Sequence, residues 1–197
     1  MIKSLDILIQ QCTACHLCKN NPKDTTPVPG IGPTNAKLMI IGESPGIDEI
    51  FDGEPFVGRS GKLLNKTLKD CGIDRENCYI TNVVKCLSRD HGKNVLPAKV
   101  DQKFCSNKWL WQEVETIRPI VIITLGNTAF QAIDCFTKRK LSDMINGEPE
   151  FFYFSDSFRD GYYAVANYHP SYIMQHGRKY HEKFVEQIKK AKELLNE

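Results

Sequence analysis

Three cysteines crowd the amino end of this chain, Cys12, Cys15 and Cys18, with His16 among them. Cysteines this dense serve as a disulfide framework, a metal site or a redox centre. Eight cysteines among 197 residues are too sparse for a miniprotein built on disulfides. The start, MIKSLDILIQQ, is too short and polar for a secretory leader, and no stretch reaches the roughly 18 apolar residues of a membrane helix. We therefore expect an intracellular protein in a reducing compartment, where C-x-x-C holds metal or does redox work. Other chemistry-bearing residues stand in two short motifs, Glu43 and Ser44 in GESPG and His169 in HPSY. Gly42 and Gly46 permit a tight loop that brings backbone close to a ligand. No Gly-Lys-Ser/Thr closes that loop, so it is not a phosphate-cradling Walker loop. Ser44 also comes one residue too early for the nucleophile elbow of a serine hydrolase.

These residues need a frame, and the hydrophobic pattern supplies one. LMIIG (38–42), YITNVV (79–84), IVIITLG (120–126) and YAVANYH (163–169) are short apolar runs ending in Gly, Asn or His. They read as strands of a parallel sheet buried on both faces. Helical patterns lie between them: GKLLNKTLKDCG closed by Gly72, DQKFCSNKWLWQEVETIRP stopped before Pro119, TAFQAIDCF, and RKYHEKFVEQIKKAKELL. Alternation of this kind predicts one α/β domain over residues 1–197, a three-layer α/β/α sandwich. Residues 20–35 and 86–98 read as loops. A composition of 41% hydrophobic and 25% charged residues suits one sizeable core. Ligands of open α/β sheets bind outside the carboxyl ends of the strands. Here those ends carry GESPGIDE, Asn82, LGN and HPSY, four groups able to surround one pocket.

GESPGIDEIFDGEPFVGRSGKLL, YITNVVKC, FCSNKWLWQEVETIRP and HPSYI occur in this order and resemble the iron–sulfur uracil-DNA glycosylases of family 4. The likeness runs from about Cys12 to the C-terminal helix. It implies a four-stranded parallel sheet and a DNA glycosylase, acting as a monomer on DNA that carries a target base. It also implies a [4Fe–4S] cluster on Cys12, Cys15, Cys86 and Cys105. Thiolates suit such clusters, although spacing alone would equally admit tetrahedral zinc. Cys18 is surplus to that set, and His16 is read as an exposed neighbour. Cys71, Cys78 and Cys135 read as small buried residues.

An enzyme of this class extrudes a nucleotide and stacks its base on an aromatic ring. The matching ring is Phe56. Asn82 matches the reader of the base edge, since a carboxamide accepts from N3–H and donates to O4 of uracil. Ser44 and Gly46 border the same base site. Bond cleavage leaves negative charge on the departing base, which a neutral, donating His169 would stabilise. Glu43 and Glu49 are candidates to steady the sugar cation or orient water. Ser171, the apolar pair Ile173–Met174 as a wedge, and Lys62, Arg178 and Lys179 are expected to touch DNA. A net charge of +2 predicts few phosphate contacts.

Three departures from the family pattern bear on substrate choice. Glu54 stands where the family carries a basic residue, Ile47 and Ile50 interrupt an acidic stretch, and the loop after Cys86 is longer and less basic. Gly46 replaces an aromatic that excludes C5-substituted bases in the best-known branch of the superfamily. Uracil is the expected substrate. The alternatives are a C5-modified pyrimidine, or a DNA-binding module that captures its product covalently, for which His91 is the available histidine.

Overall fold

The alternation of apolar side chains along the strands divides the core in two. The computed structural model describes residues 4–17, 26–90, 93–134, 139–153 and 161–196. Four parallel strands form its centre: β1 (Leu38–Gly42), β2 (Cys78–Asn82), β5 (Val121–Leu125) and β7 (Gly161–Asn167). They lie in the order β2-β1-β5-β7, and a fifth strand, β6 (Glu150–Tyr153), adds antiparallel to β7. That edge strand differs from the expected four-stranded sheet. It is short, and three of its four residues are exposed, so it lacks the continuous apolar run that marks a strand buried on both faces.

Successive side chains point to opposite faces of a strand. Met39, Ile41, Tyr79 and Ile122 therefore enter one layer, and Leu38, Ile40, Ile80 and Ile123 the other. The first layer is covered by α1 (Leu5–Thr13), by α4 (Lys99–Cys105) running through a π-helical turn (Ser106–Leu110) into α5 (Trp111–Ile117), and by α6 (Asn127–Ile133). The second is covered by α3 (Arg59–Asp70), α8 (Pro170–His176) and α9 (Arg178–Leu194). Phe184, Ile188 and Ala191 recur at helical spacing on α9 and are wholly buried there. Two shorter helices complete the fold, α2 (Ile47–Asp52) after β1 and α7 (Leu141–Asn146) before β6. A small antiparallel ribbon, β3 (Arg89–Asp90) and β4 (Lys93–Asn94), stands in the loop after Cys86.

The register brings the functional ends together. Gly42 pairs with Asn82, and Leu125 pairs with Asn167, two residues before His169. The carboxyl ends of the four parallel strands thus open on one side.

Candidate active site

A cavity of about 580 Å³ lies at those ends, within the ~300–1,000 Å³ usual for ligand sites. Glu43, Ser44, Pro45, Gly46 and Glu49 form one wall, Phe56 and Ser60 lie beside them, and His169, Ser171 and Gln175 face them from α8. Leu87, Val95 and Leu96 close a further side.

Phe56 occupies a left-handed backbone conformation with φ 58°, which a bulky side chain rarely adopts. The surroundings hold it there. Arg75 donates to the Pro55 carbonyl at 2.7 Å and to Asn65 Oδ1 at 2.6 Å. Gly61 lets the strained turn settle on α3, because a Cβ there would stand 1.8 Å from the Phe56 carbonyl oxygen. Strain that is over-determined in this way is a mark of a functional position. The ring faces His169 with centroids 6.1 Å apart and planes tilted by 38°.

Asn82 ends β2 with its side chain only 1% exposed. Its Nδ2 has no hydrogen-bond partner among the described residues. Leaving a buried donor unpaired costs about 1–3 kcal/mol, so the amide would gain from a partner; Asn82 lies behind Phe56 and is not itself part of the cavity wall. Asn82 and Phe56 converge over Gly42, where a Cβ would meet Asn82 Oδ1 at 2.4 Å and the Phe56 ring at 2.5 Å. Only glycine leaves room for both.

His169 caps the start of α8, and its Nδ1 accepts from the Ser171 N–H at 3.2 Å. Burial pushes the imidazole down to about 4, so it is neutral at physiological pH. A neutral ring that accepts at Nδ1 carries its proton on Nε2. The result is an uncharged donor held at the cavity wall.

The two carboxylates are placed differently. Glu43 lines the cavity and its Oε2 accepts from Thr128 Oγ1 at 2.5 Å. Glu49 also lines the cavity, but its carboxylate accepts from the Gly46 N–H at 3.1 Å and caps α2. Burial raises the Glu49 carboxyl above its ordinary range, opposed by backbone hydrogen bonds from Gly46 and Phe56. Beside them, Gly46 has open space where a side chain would project, with nothing within 4 Å.

The expected wedge is divided by the structure. Ile173 is 4% exposed and packs in the core with Phe184 and Leu64, whereas Met174 is 43% exposed. On a helix, neighbours point about 100° apart, so a pair in sequence does not share a face. Of the pair, Met174 alone is exposed. Lys62 and Lys179 are exposed, while Arg178 pairs with Glu182 at 2.9 Å one turn along α9. Glu54 is exposed and is not part of the cavity wall. Cys18, Cys135 and His91 lie outside the described residues. Thr128, Arg75 and the Val95–Leu96 wall were not anticipated. An apolar pair within a polar loop was the available signal for the last.

Cys12, Cys86 and Cys105 are buried in one hydrophobic cluster, with half-buried Cys15 packed against it. Cys12 and Cys15 share the turn that ends α1, where the Cys15 N–H donates to the Cys12 carbonyl at 3.0 Å. Cys86 follows β2 and Cys105 ends α4. Burial pushes the Cys12 thiol up to about 12, with Lys85 pulling the other way and Glu113, Cys105 and Cys15 adding to the rise. Among the described residues, no three histidine, cysteine or acidic side chains are gathered as ligands of one metal ion. Four cysteines in or against one apolar cluster are nonetheless a donor set of the kind that iron–sulfur clusters take. Cys71 and Cys78 are buried away from this set, in the opposite layer of the core.

The sequence model of the uracil DNA glycosylase superfamily matches residues 29–194. A type-4 uracil-DNA glycosylase of Thermotoga maritima is 34% identical over 95% of this chain and 91% of its own length. Another, of Archaeoglobus fulgidus, is 40% identical over 67% of this chain and 64% of its own. A type-5 uracil-DNA glycosylase of Thermus thermophilus is 27% identical over 96% of the chain and 97% of that protein. No helix among the described residues is long and apolar enough to cross a membrane. With a parallel sheet whose strand ends gather Phe56, Asn82 and His169, and with these matches along most of its length, the chain belongs to the uracil DNA glycosylase superfamily.

Proposed function

We propose that this protein is a monofunctional DNA glycosylase that removes uracil from DNA. The observation that carries the reading is the buried carboxamide of Asn82, whose Nδ2 has no partner among the described residues, beside the strained Phe56 ring. An extruded base stacks on Phe56, and Asn82 accepts from its N3–H while donating to O4. His169 Nε2–H donates to O2 as negative charge develops there, with no proton released to solvent. Glu43, held by Thr128, stands at the sugar to favour its cationic character and to orient the attacking water. Glu49, already bonded to the Gly46 N–H, shapes the loop over the base. Met174 fills the gap the nucleotide leaves in the stack. Lys62 and Lys179 contact phosphates, with Arg178 and Ser171 nearby.

Cys12, Cys15, Cys86 and Cys105 hold a [4Fe–4S] cluster. When bound, it supplies a cross-link joining α1, the tail of β2 and α4, rather than a chemical step. The protein acts as a monomer in the intracellular compartment that holds its DNA. A panel of oligonucleotides, each with one uracil, cytosine or 5-substituted pyrimidine, tests this reading. Alkaline cleavage should reveal abasic sites at uracil. Activity confined to modified bases would favour a second reading, excision of a C5-modified pyrimidine, which the open space at Gly46 supports. A DNA adduct without turnover would favour covalent capture instead.

A further inference from the structure

A buried ion pair lies between the two centres and belongs to neither. Lys85 is 1% exposed and Glu113 is 2% exposed, with Nζ and Oε2 at 2.6 Å. Each proton of the ammonium has an acceptor: Glu113, Thr81 Oγ1 at 2.5 Å and the Asn82 carbonyl at 2.7 Å. Glu113 also accepts from Thr81 Oγ1 at 2.9 Å, and its other oxygen accepts from the Gly30 N–H at 3.1 Å. The backbone of Lys85 is held as firmly. Its N–H donates to Cys105 Sγ at 3.3 Å, and its carbonyl accepts from the Val28 N–H at 2.7 Å.

The π-helical turn explains how one helix serves both contacts. Cys105 and Glu113 are eight residues apart, which on a regular α-helix turns them roughly 80° from each other. A turn that absorbs one extra residue brings them within about 20°. Both side chains are buried on the same side, toward the tail of β2.

Burying such a pair contributes little net stability, since desolvation offsets the attraction. Its value must lie in what it positions. We propose that Lys85, with Glu113, is a positioning strut that transmits the order of the thiol centre to the base-reading Asn82. The strut grips the Asn82 carbonyl, so it sets the backbone from which the carboxamide projects. This inference rests on the base-reading role of Asn82 given above.

Two alterations test it. Lys85→Met with Glu113→Leu removes both charges and keeps the volume, a replacement that buried ion pairs commonly tolerate. Thr81→Val removes one grip on Nζ and leaves the pair intact. Each is compared with wild type for iron per chain, visible absorption, backbone amide exchange over residues 79–87, binding to DNA and single-turnover rate. The strut predicts retained iron in Thr81→Val, faster amide exchange at 81–84, and unchanged binding to DNA lacking the target base. Excision of uracil should fall by about tenfold in Thr81→Val and about 10²-fold in the double variant, the scale of a misplaced group. Preference for uracil over cytosine should shrink in both.

Wild-type exchange and excision in Thr81→Val would overturn the strut, even if the double variant failed to fold. A double variant that holds iron and matches wild type in rate and base preference would overturn it too. A wild type inert on every DNA would instead sink the functional reading, leaving iron content and amide exchange to judge the strut.

Discussion

Asn82 and Lys85 are three residues apart on the tail of one strand, and both are 1% exposed. Every ammonium proton of Lys85 meets an acceptor, while the amide of Asn82 has no partner among the described residues. Burial is costly for either group if it is left unpaired, and far more so for the charged one. The fold satisfies one from within and leaves the other for a ligand. The same contrast separates the regions around them. On the Lys85 side, contacts run to Gly30, Val28, Cys105 and Glu113 and tie the fold together. On the Asn82 side, a strained Phe56 adjoins an amide Nδ2 that has no partner among the described residues, as the proposed base site requires.

The comparison should break most visibly under single substitutions. Lys85→Met leaves Glu113 charged, buried and unpaired, so unfolding free energy should fall by about 3–5 kcal/mol. Asn82→Ala removes an amide Nδ2 that has no partner among the described residues, so its stability loss should stay below about 1 kcal/mol while uracil excision collapses. Denaturant titrations of the two variants give the test. Equal destabilisation would mean that Asn82 is structural after all.

Cys86→Ala sharpens the other side. Loss of one thiol should leave purified protein without the brown colour that the proposed cluster gives and with lowered stability, read by iron content and thermal unfolding. Colourless, zinc-bearing wild type after anaerobic preparation would contradict the iron–sulfur assignment. A cluster lost with full retention of the fold would contradict its structural role.

The buried histidine adds a pH dependence. Its folded value near 4 lies below the ordinary 6.5, so between these values the unfolded chain binds a proton that the native protein does not. This contribution to stability therefore falls as pH drops from about 6.5 to about 4 and levels below that. His169→Asn should flatten that part of the profile. If His169 acts as proposed, excision by wild type should lack an acid limb near 6.5, since its imidazole stays neutral until about 4.

The smallest effect concerns DNA affinity. Lys62→Gln and Lys179→Gln should each weaken binding and reduce the salt slope by about 0.9. Arg178→Gln should do less, because Glu182 already shares its charge. Equal losses for all three would show that the pair opens on DNA.

The central strands were legible because residues buried on both faces leave unbroken apolar runs, and the strand-end rule then located Asn82 and His169. The edge strand β6 was not, because Glu150–Tyr153 is largely exposed. The six-residue helix α2 was equally hidden, with Ile47 and Phe51 facing outward. Ile173 and Met174 could not be separated in the sequence, since the phase of a helix depends on what it packs against. Lys85–Glu113 and Glu43–Thr128 join residues 28 and 85 apart, and no local pattern reveals such partners. The family likeness supplied roles for Phe56 and Asn82, but it did not carry the grip on Asn82's backbone.

The central claim is that a neutral His169 donates to a uracil held by Asn82. Single-turnover rates on uracil, cytosine and 5-substituted pyrimidines, for wild type, His169→Ala and Asn82→Ala, test it most directly. His169→Ala should lower the uracil rate by ~10²–10³ with DNA binding little changed, because the donor acts on charge present only in the transition state. Asn82→Ala should lower the uracil rate and narrow the gap between uracil and cytosine. Unchanged kinetics in His169→Ala would contradict the mechanism, and wild-type activity confined to modified pyrimidines would contradict the substrate.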